Sequence, residues 1–234
     1  MEEIVADKKP SVVMFSGGID STAVLKELLV ETDKNIYAHH IHIISGEGQG
    51  KRYKAETAAV NQIIPYMKKT YRDFNYSEST IDILQILPLI ANFPRLIKER
   101  VWEYHSHQTR RGRIWDIKIC AYMGSILANY IDAIEIYSGD RYGIPPEGVA
   151  NQVLLNNLKG SDKISEGVWY PHDPVTITLL NGNESKIKSI QYLGKELLDM
   201  TWGCRQPQGE TWPYTICNEC LTCTQIETAL LERA

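Results

Sequence analysis

Ser11-Val12-Val13-Met14-Phe15-Ser16-Gly17-Gly18-Ile19-Asp20-Ser21-Thr22 is the stretch that decides how this chain folds. Its first five residues form a short apolar run that suits a buried parallel strand, and the run stops abruptly at Gly17-Gly18. From Asp20 onward Ala23, Val24, Leu25, Leu28 and Leu29 recur at helical spacing. A strand, a glycine turn and a helix therefore open the fold. Two glycines let the backbone bend with its N–H groups turned inward, and a helix N-terminus adds partial positive charge, so the turn is suited to cradle a phosphate. Ser16, Ser21 and Thr22 offer hydroxyl donors, and Asp20 can hold a magnesium ion carried by a nucleotide. There is no Gly-Lys-Ser/Thr ending, so the stretch is not a Walker A loop. An ordinary strand-to-helix connection capped by Asp20 or Ser21 is the bland alternative, and a Gly-Gly pair alone would fit it. The combination of Ser, Gly-Gly, Asp and Ser directly after the first strand favours the phosphate reading.

Working outward, a second strand is expected from Ile36 to Ile44, then the glycine-rich loop Ser45 to Gly50 and a helix from about Arg52 to Lys69. Two such units in succession predict an α/β fold with a doubly wound parallel sheet. Between Ser79 and Tyr104 the chain is apolar but interrupted by Pro88 and Pro94, which predicts broken helices. Ile114 to Tyr130 has a helical apolar pattern, Ala133 to Ser138 reads as another inner strand, and Val175 to Leu180 as a further one before a helix from Glu184 to Leu198. The loop Gly139 to Gly148 falls beyond the carboxyl end of a strand, where such sheets place ligand contacts.

At 234 residues and 43% hydrophobic content, the chain can bury one sizeable core. The expected organisation is a nucleotide-binding domain over residues 1–200 with an extension over 201–234 packed on it. A formal net charge of −4 argues against a broad phosphate-tracking surface, so no direct nucleic-acid binding is expected. Met1 to Pro10 lacks an apolar signal core and no run of about 18 apolar residues occurs, so the expectation is a cytoplasmic protein with no membrane contact.

Of five cysteines, Cys204, Cys217, Cys220 and Cys223 crowd into the last part of the chain with the spacing C-x12-C-x2-C-x2-C. Thiolates two residues apart converge on one ion if the backbone curls around it, and four sulfurs satisfy zinc with no position left for water. The zinc expected there is structural. Free thiols, two disulfides or an iron–sulfur cluster are the other readings of the same residues. Cys120 lies on an apolar helix face and reads as a core residue. His39, His40 and His42 alternate across a strand, with His40 and His42 on one face, and are read as polar strand residues rather than ligands. Trp202 and Trp212, with Trp169 and Tyr170, can stack on a purine or simply pack.

Ser16 to Ser21 resembles the Ser-Gly-Gly-x-Asp-Ser motif of the PP-loop ATP pyrophosphatases. The resemblance implies that Phe15, Ser16, Gly17, Gly18, Asp20, Ser21 and Thr22 bind ATP, which is cleaved to AMP and pyrophosphate as a substrate is adenylated. A PP-loop followed by a C-terminal four-cysteine knuckle is similar to the 7-cyano-7-deazaguanine synthases within that superfamily. Gly48-Gln49 with Arg52 and Glu56 resembles that family's Gly-Gln-Arg-His loop and following glutamate, with Gly50-Lys51 inserted. Gly112-Arg113 resembles its Pro-Gly-Arg-Asn turn, and Asp140 and Gly143 to Pro145 its substrate loop, with Pro146 in place of the last aspartate and Glu147 after it. Lys186 resembles a lysine that follows a Pro-Leu segment, with Lys188 nearby. The resemblance implies catalytic roles for Asp20, Arg113 and Lys186, the last two neutralising departing pyrophosphate, and substrate binding by Asp140, Gly143 and Glu147. It implies ATP, magnesium and zinc as cofactors, a small-molecule carboxylate and ammonia as reactants, and a homodimer is expected. Other readings are a PP-loop enzyme acting on another deazapurine, on tRNA or on a protein, and a catalytically silent nucleotide-binding module.

Overall fold

The structure is a computed structural model that describes residues 9–44, 50–82, 120, 123–124, 126–133, 135–138, 176–178 and 186–231. Among the described residues five strands form one sheet: β1 (Ser11–Met14), β2 (Ile36–Ile44), β3 (Asn75–Asp82), β4 (Glu135–Ser138) and β5 (Thr176–Thr178). Their order is β3-β2-β1-β4-β5 and every pairing is parallel, with Met14 opposite His39 on one side and Ser138 on the other. The helices are α1 (Ile19–Glu31), α2 (Gly50–Thr70), α3 (Lys186–Met200) and α4 (Leu221–Leu231), with a further helical stretch at 126–130.

Side chains along β1 alternate between two cores, as the pleat requires. Val13, with Phe15 just beyond the strand, packs with Leu25, Leu28, Ile63, Met67, Ile190 and Leu197 from α1, α2 and α3. Val12 and Met14 pack on the opposite face with Ile41, Ile136 and Ala128 of the 126–130 helical stretch, and Cys120 lies against that cluster. Both faces of the sheet are thus covered, which makes it doubly wound.

The helices of the first face are locked by side chains on carbonyl ends. Arg72, after α2, donates to the carbonyls of Leu28, Leu29 and Thr32 at the end of α1. Gly194 breaks α3 at φ 73°, and Lys26 of α1 donates to the carbonyl of Tyr192 at 2.5 Å, just before the break. Burial lowers the pKa of Lys26, which also lies 4.6 Å from the centre of the Tyr192 ring. Ile226 and Ala229 of α4 join the same core.

β3 is the element the sequence does not announce. Ser79 to Asp82 were expected to begin a broken helix, yet they continue a strand whose polar sequence, Asn75-Tyr76-Ser77-Glu78-Ser79-Thr80-Ile81-Asp82, shows no alternating apolar face. An edge strand tolerates this composition, since one side of its ladder is unpaired and charge there discourages pairing with other chains. No helix among the described residues is long and apolar enough to cross a membrane.

Candidate functional site

β1 occupies the middle of the sheet, with β2 and β4 on either side of it, so the turn that leaves its carboxyl end sits at the topological switch point. Ser16-Gly17-Gly18 crosses from this strand into α1. Phe15 is held from both directions, donating its N–H to the His39 carbonyl at 2.8 Å and accepting the His40 Nδ1 hydrogen at 2.9 Å. Its ring lies in the core, so the residue presents no side chain to a nucleotide. Gly17 adopts φ +73° against α2: a Cβ there would stand 2.9 Å from Val60 Cγ2 and 3.1 Å from the Glu56 carbonyl oxygen. On its other side the Gly17 carbonyl accepts the Trp202 N–H at 2.9 Å. Glycine is required both by conformation and by closeness.

The hydroxyls divide their work. Ser21 and Thr22 are buried and donate to the Gly18 carbonyl at 3.2 and 2.7 Å, and Ser21 Oγ also accepts the Ser16 N–H at 3.2 Å. They shape the turn. Ser16 is exposed, with its Oγ 3.1 Å from that of Ser21. Gly18 is the N-cap of α1 and no side chain among the described residues caps the helix, so the amides ahead of Thr22, the first to bond back to Gly18, open toward whatever occupies the turn. An uncapped helix start beside a glycine turn fits a phosphate.

Lys186 comes to the same place. From the first turn of α3 its ammonium pairs with Asp20 Oδ2, and the two side chains are 18% and 20% exposed. A carboxylate and a cation thus stand together beside the helix start. Arg52 and Glu56 form an ion pair at 2.8 Å on α2, with the backbone of Glu56 against Gly17. Arg113, Asp140, Gly143 and Glu147 lie outside the described residues, as do Gly48 and Gln49.

Composition gave no reason to single out Lys26, and His40 was read from the sequence only as a polar strand residue. Lys26 fixes α3 on α1 and with it the position of Lys186. His40 is 1% exposed, and burial brings its pKa down to about 4, only partly countered by the bond to the Phe15 carbonyl. Its neighbour His39 uses both ring nitrogens on β3, 2.7 Å from Ser77 Oγ and 2.9 Å from Ser79 Oγ. The histidines are therefore sheet residues. Glu78 takes His42 Nε2 at 2.7 Å.

The second centre is the buried cluster of Cys204, Cys217, Cys220 and Cys223, whose sulfurs all lie within 4.8 Å of one another. Neighbouring sulfurs are separated by 3.6, 3.9 and 3.5 Å. Four sulfurs at about 2.3 Å from one zinc stand about 3.8 Å apart in a tetrahedron, so the donor set fits a single ion. Four thiolates on four separate irons would stand further apart. Burial raises the Cys220 thiol, but amide hydrogens of Arg205 and Cys223 and the neighbouring thiols outweigh it and bring the pKa down to about 6. Burial pushes Cys204 and Cys223 up. Trp202 ties this cluster to the turn: its backbone N–H bonds Gly17 and its indole N–H donates to the Cys204 carbonyl at 2.8 Å.

No protein-family model and no curated protein sequence matches the chain. Among solved structures it is similar to the U34-tRNA thiolase NcsA from Methanococcus maripaludis with its [4Fe-4S] cluster, at 13% identity and a TM-score of 0.46. That alignment covers 99% of this chain and 66% of the other.

Proposed function

We propose that the protein is an ATP-dependent adenylating enzyme of the PP-loop type, which activates a carboxylate for attack by ammonia and releases pyrophosphate. The observation that carries this reading is the meeting of Lys186 and Asp20 at the uncapped start of α1, on a glycine turn at the centre of a parallel sheet. The triphosphate lies along the turn, with amides of the helix start on its oxygens. Lys186 follows the charge that grows on the departing pyrophosphate, and Arg113 is assigned the same task. Asp20 would hold the nucleotide's magnesium, which neutralises phosphate charge when bound. Chemistry at the α-phosphorus then needs little from the protein beyond positioning and electrostatic stabilisation.

The substrate proposed is 7-carboxy-7-deazaguanine or a near relative, bound through Asp140, Gly143 and Glu147. Its carboxylate oxygen attacks the α-phosphorus and pyrophosphate leaves; ammonia displaces AMP to give the amide. A second ATP adenylates the amide oxygen, and loss of AMP and protons leaves the nitrile. The cysteine cluster is proposed to hold structural zinc, a choice that the close sulfur spacing supports over an iron–sulfur cluster.

AMP formation from ATP, measured with 7-carboxy-7-deazaguanine, 7-amido-7-deazaguanine and unrelated carboxylates, tests the reading. The two deazapurines should raise AMP above the ATP-only background. If neither does, the substrate is wrong; if transfer RNA does so instead, the activated atom is on a nucleic acid. Absence of AMP and pyrophosphate under every condition would remove the enzymatic reading.

A further inference from the structure

The twelve residues between Cys204 and Cys217 do more than close a metal site. Gln208 and Thr215 exchange backbone hydrogen bonds of 2.9 and 3.1 Å, making a small antiparallel bridge. The bridge closes a loop in which Gly209 takes φ +99° and Trp212 meets Tyr214 edge to face, with ring centres 5.8 Å apart. Tyr214 is buried and anchors the loop, whereas Trp212 is 51% exposed. Facing this pair across a cleft of ≈ 350 Å³ are Tyr53, Thr57 and Asn61 of α2 and His42 of β2. That volume lies at the small end of the range for small-molecule pockets.

The cleft is joined to the glycine turn. Thr57 gives its hydroxyl hydrogen to the Tyr53 carbonyl at 2.7 Å and stands 2.9 Å from His42 Nδ1 and 3.5 Å from His40 Nε2. His40 in turn donates to the carbonyl of Phe15, the residue before Ser16. On a neighbouring face of the same helix, Glu56 and Val60 touch Gly17. The floor of the cleft and the turn therefore share one helix and one run of polar contacts.

We infer that this cleft is a binding site for the planar heteroaromatic ring of the substrate, stacked on Trp212 and read along its edge by Asn61. An exposed indole offers a flat apolar face that any such ring can cover, and a carboxamide presents a donor beside an acceptor, complementary to a ring edge that carries C=O next to N–H. The inference rests on the proposed function only in taking the ring to belong to the molecule that ATP activates.

Titration calorimetry on the metal-loaded protein without ATP separates the two. The probes are 7-carboxy-7-deazaguanine, guanosine and cyclohexanecarboxylate, the last carrying charge without an aromatic ring. The two heteroaromatic probes should bind and cyclohexanecarboxylate should not. Trp212→Leu should weaken binding roughly ten-fold, within the range of one lost base stack, while Trp212→Phe restores most of it. Asn61→Ala should weaken it several-fold. Absence of binding by both heteroaromatic probes, or equal binding to Trp212→Leu and the parent protein, overturns the inference. Either result leaves pyrophosphate release untouched as a test of the ATP reading, and ring binding without any pyrophosphate release would leave the inference standing alone.

Discussion

Lys186 meets Asp20 because α3 lies alongside α1 and runs in the same direction: six residues further along both helices, Lys26 donates to the carbonyl of Tyr192. The pair is thus held by helix register rather than by a flexible loop. Asp20→Asn and Lys186→Met should each lower ATP-dependent pyrophosphate release by about 100-fold or more, the scale of losing one preorganised electrostatic contact in a transition state. The double variant should be little worse than either single one, since the two act as a unit. Steady-state pyrophosphate assays on variants with unchanged circular dichroism give the answer, and turnover near the parent value in both would remove the pair from the chemistry.

Gly17 and Gly194 share φ +73° but differ in their surroundings. At Gly194 an added Cβ meets nothing within 4 Å, so alanine suffers only the backbone cost, about 1 kcal/mol. At Gly17 the same cost is joined by contacts of 2.9 to 3.2 Å with Val60 and the Glu56 backbone, which cannot yield without moving α2. Gly17→Ala should therefore lose about 3 kcal/mol in urea unfolding and displace the turn as well. Equal losses for the two alanine variants would show that the turn and α2 separate easily.

How far the sequence reveals this molecule depends on which force shapes each element. β1, α1 and β2 were legible because burial on both faces or one imposes its period on Val12 to Phe15, on Ala23 to Leu29 and on Ile36 to Ile44. The turn was legible because few residues other than glycine fit there. β3 was hidden, since Tyr76, Glu78 and Thr80 owe their strand conformation to pairing with β2 rather than to any apolar rhythm of their own. The cysteine cluster was visible from spacing alone. Lys26 was not: its role depends on carbonyls set free at Gly194, 168 positions away in the chain, and local sequence carries no trace of such a contact.

Metal should be inseparable from the order of the C-terminal segment. Four buried sulfurs all within 4.8 Å of one another, three of their separations being 3.5 to 3.9 Å, form a stable arrangement only around a cation, because thiolates so crowded repel one another. Elemental analysis should find about one zinc per chain, and Cys220→Ser should abolish it. Chelation should also shift the emission of Trp202, whose indole N–H is bound to the Cys204 carbonyl. Colourless protein with zinc would agree with the single-ion site; brown protein with iron and sulfide would replace it.

His40 supplies the last prediction, through acid. Burial holds its folded pKa at about 4 against an ordinary 6.5, so between those values an unfolded chain takes up a proton that the folded chain refuses. Stability should accordingly be level above about pH 6.5, fall as pH drops toward 4, and stop losing through this group below that. The full effect is up to about 3 kcal/mol. Burial lowers His39 as well, which adds to the loss with the same sign. Glu78, held low by the Tyr76 hydroxyl and by His42, adds a further loss only once pH falls below the ordinary carboxylate range. His40→Asn keeps a donor for the Phe15 carbonyl and removes the titration. Urea unfolding at pH 7.5, 6.5, 5.5 and 4.5 should show a shallower decline for His40→Asn than for the parent protein. Because the bond from His40 to Phe15 requires hydrogen on Nδ1, the neutral ring presents a bare Nε2 toward Thr57, and a second proton there has no acceptor as good as water. Parallel declines in the two proteins would assign the acid sensitivity to other groups and leave His40 as packing alone.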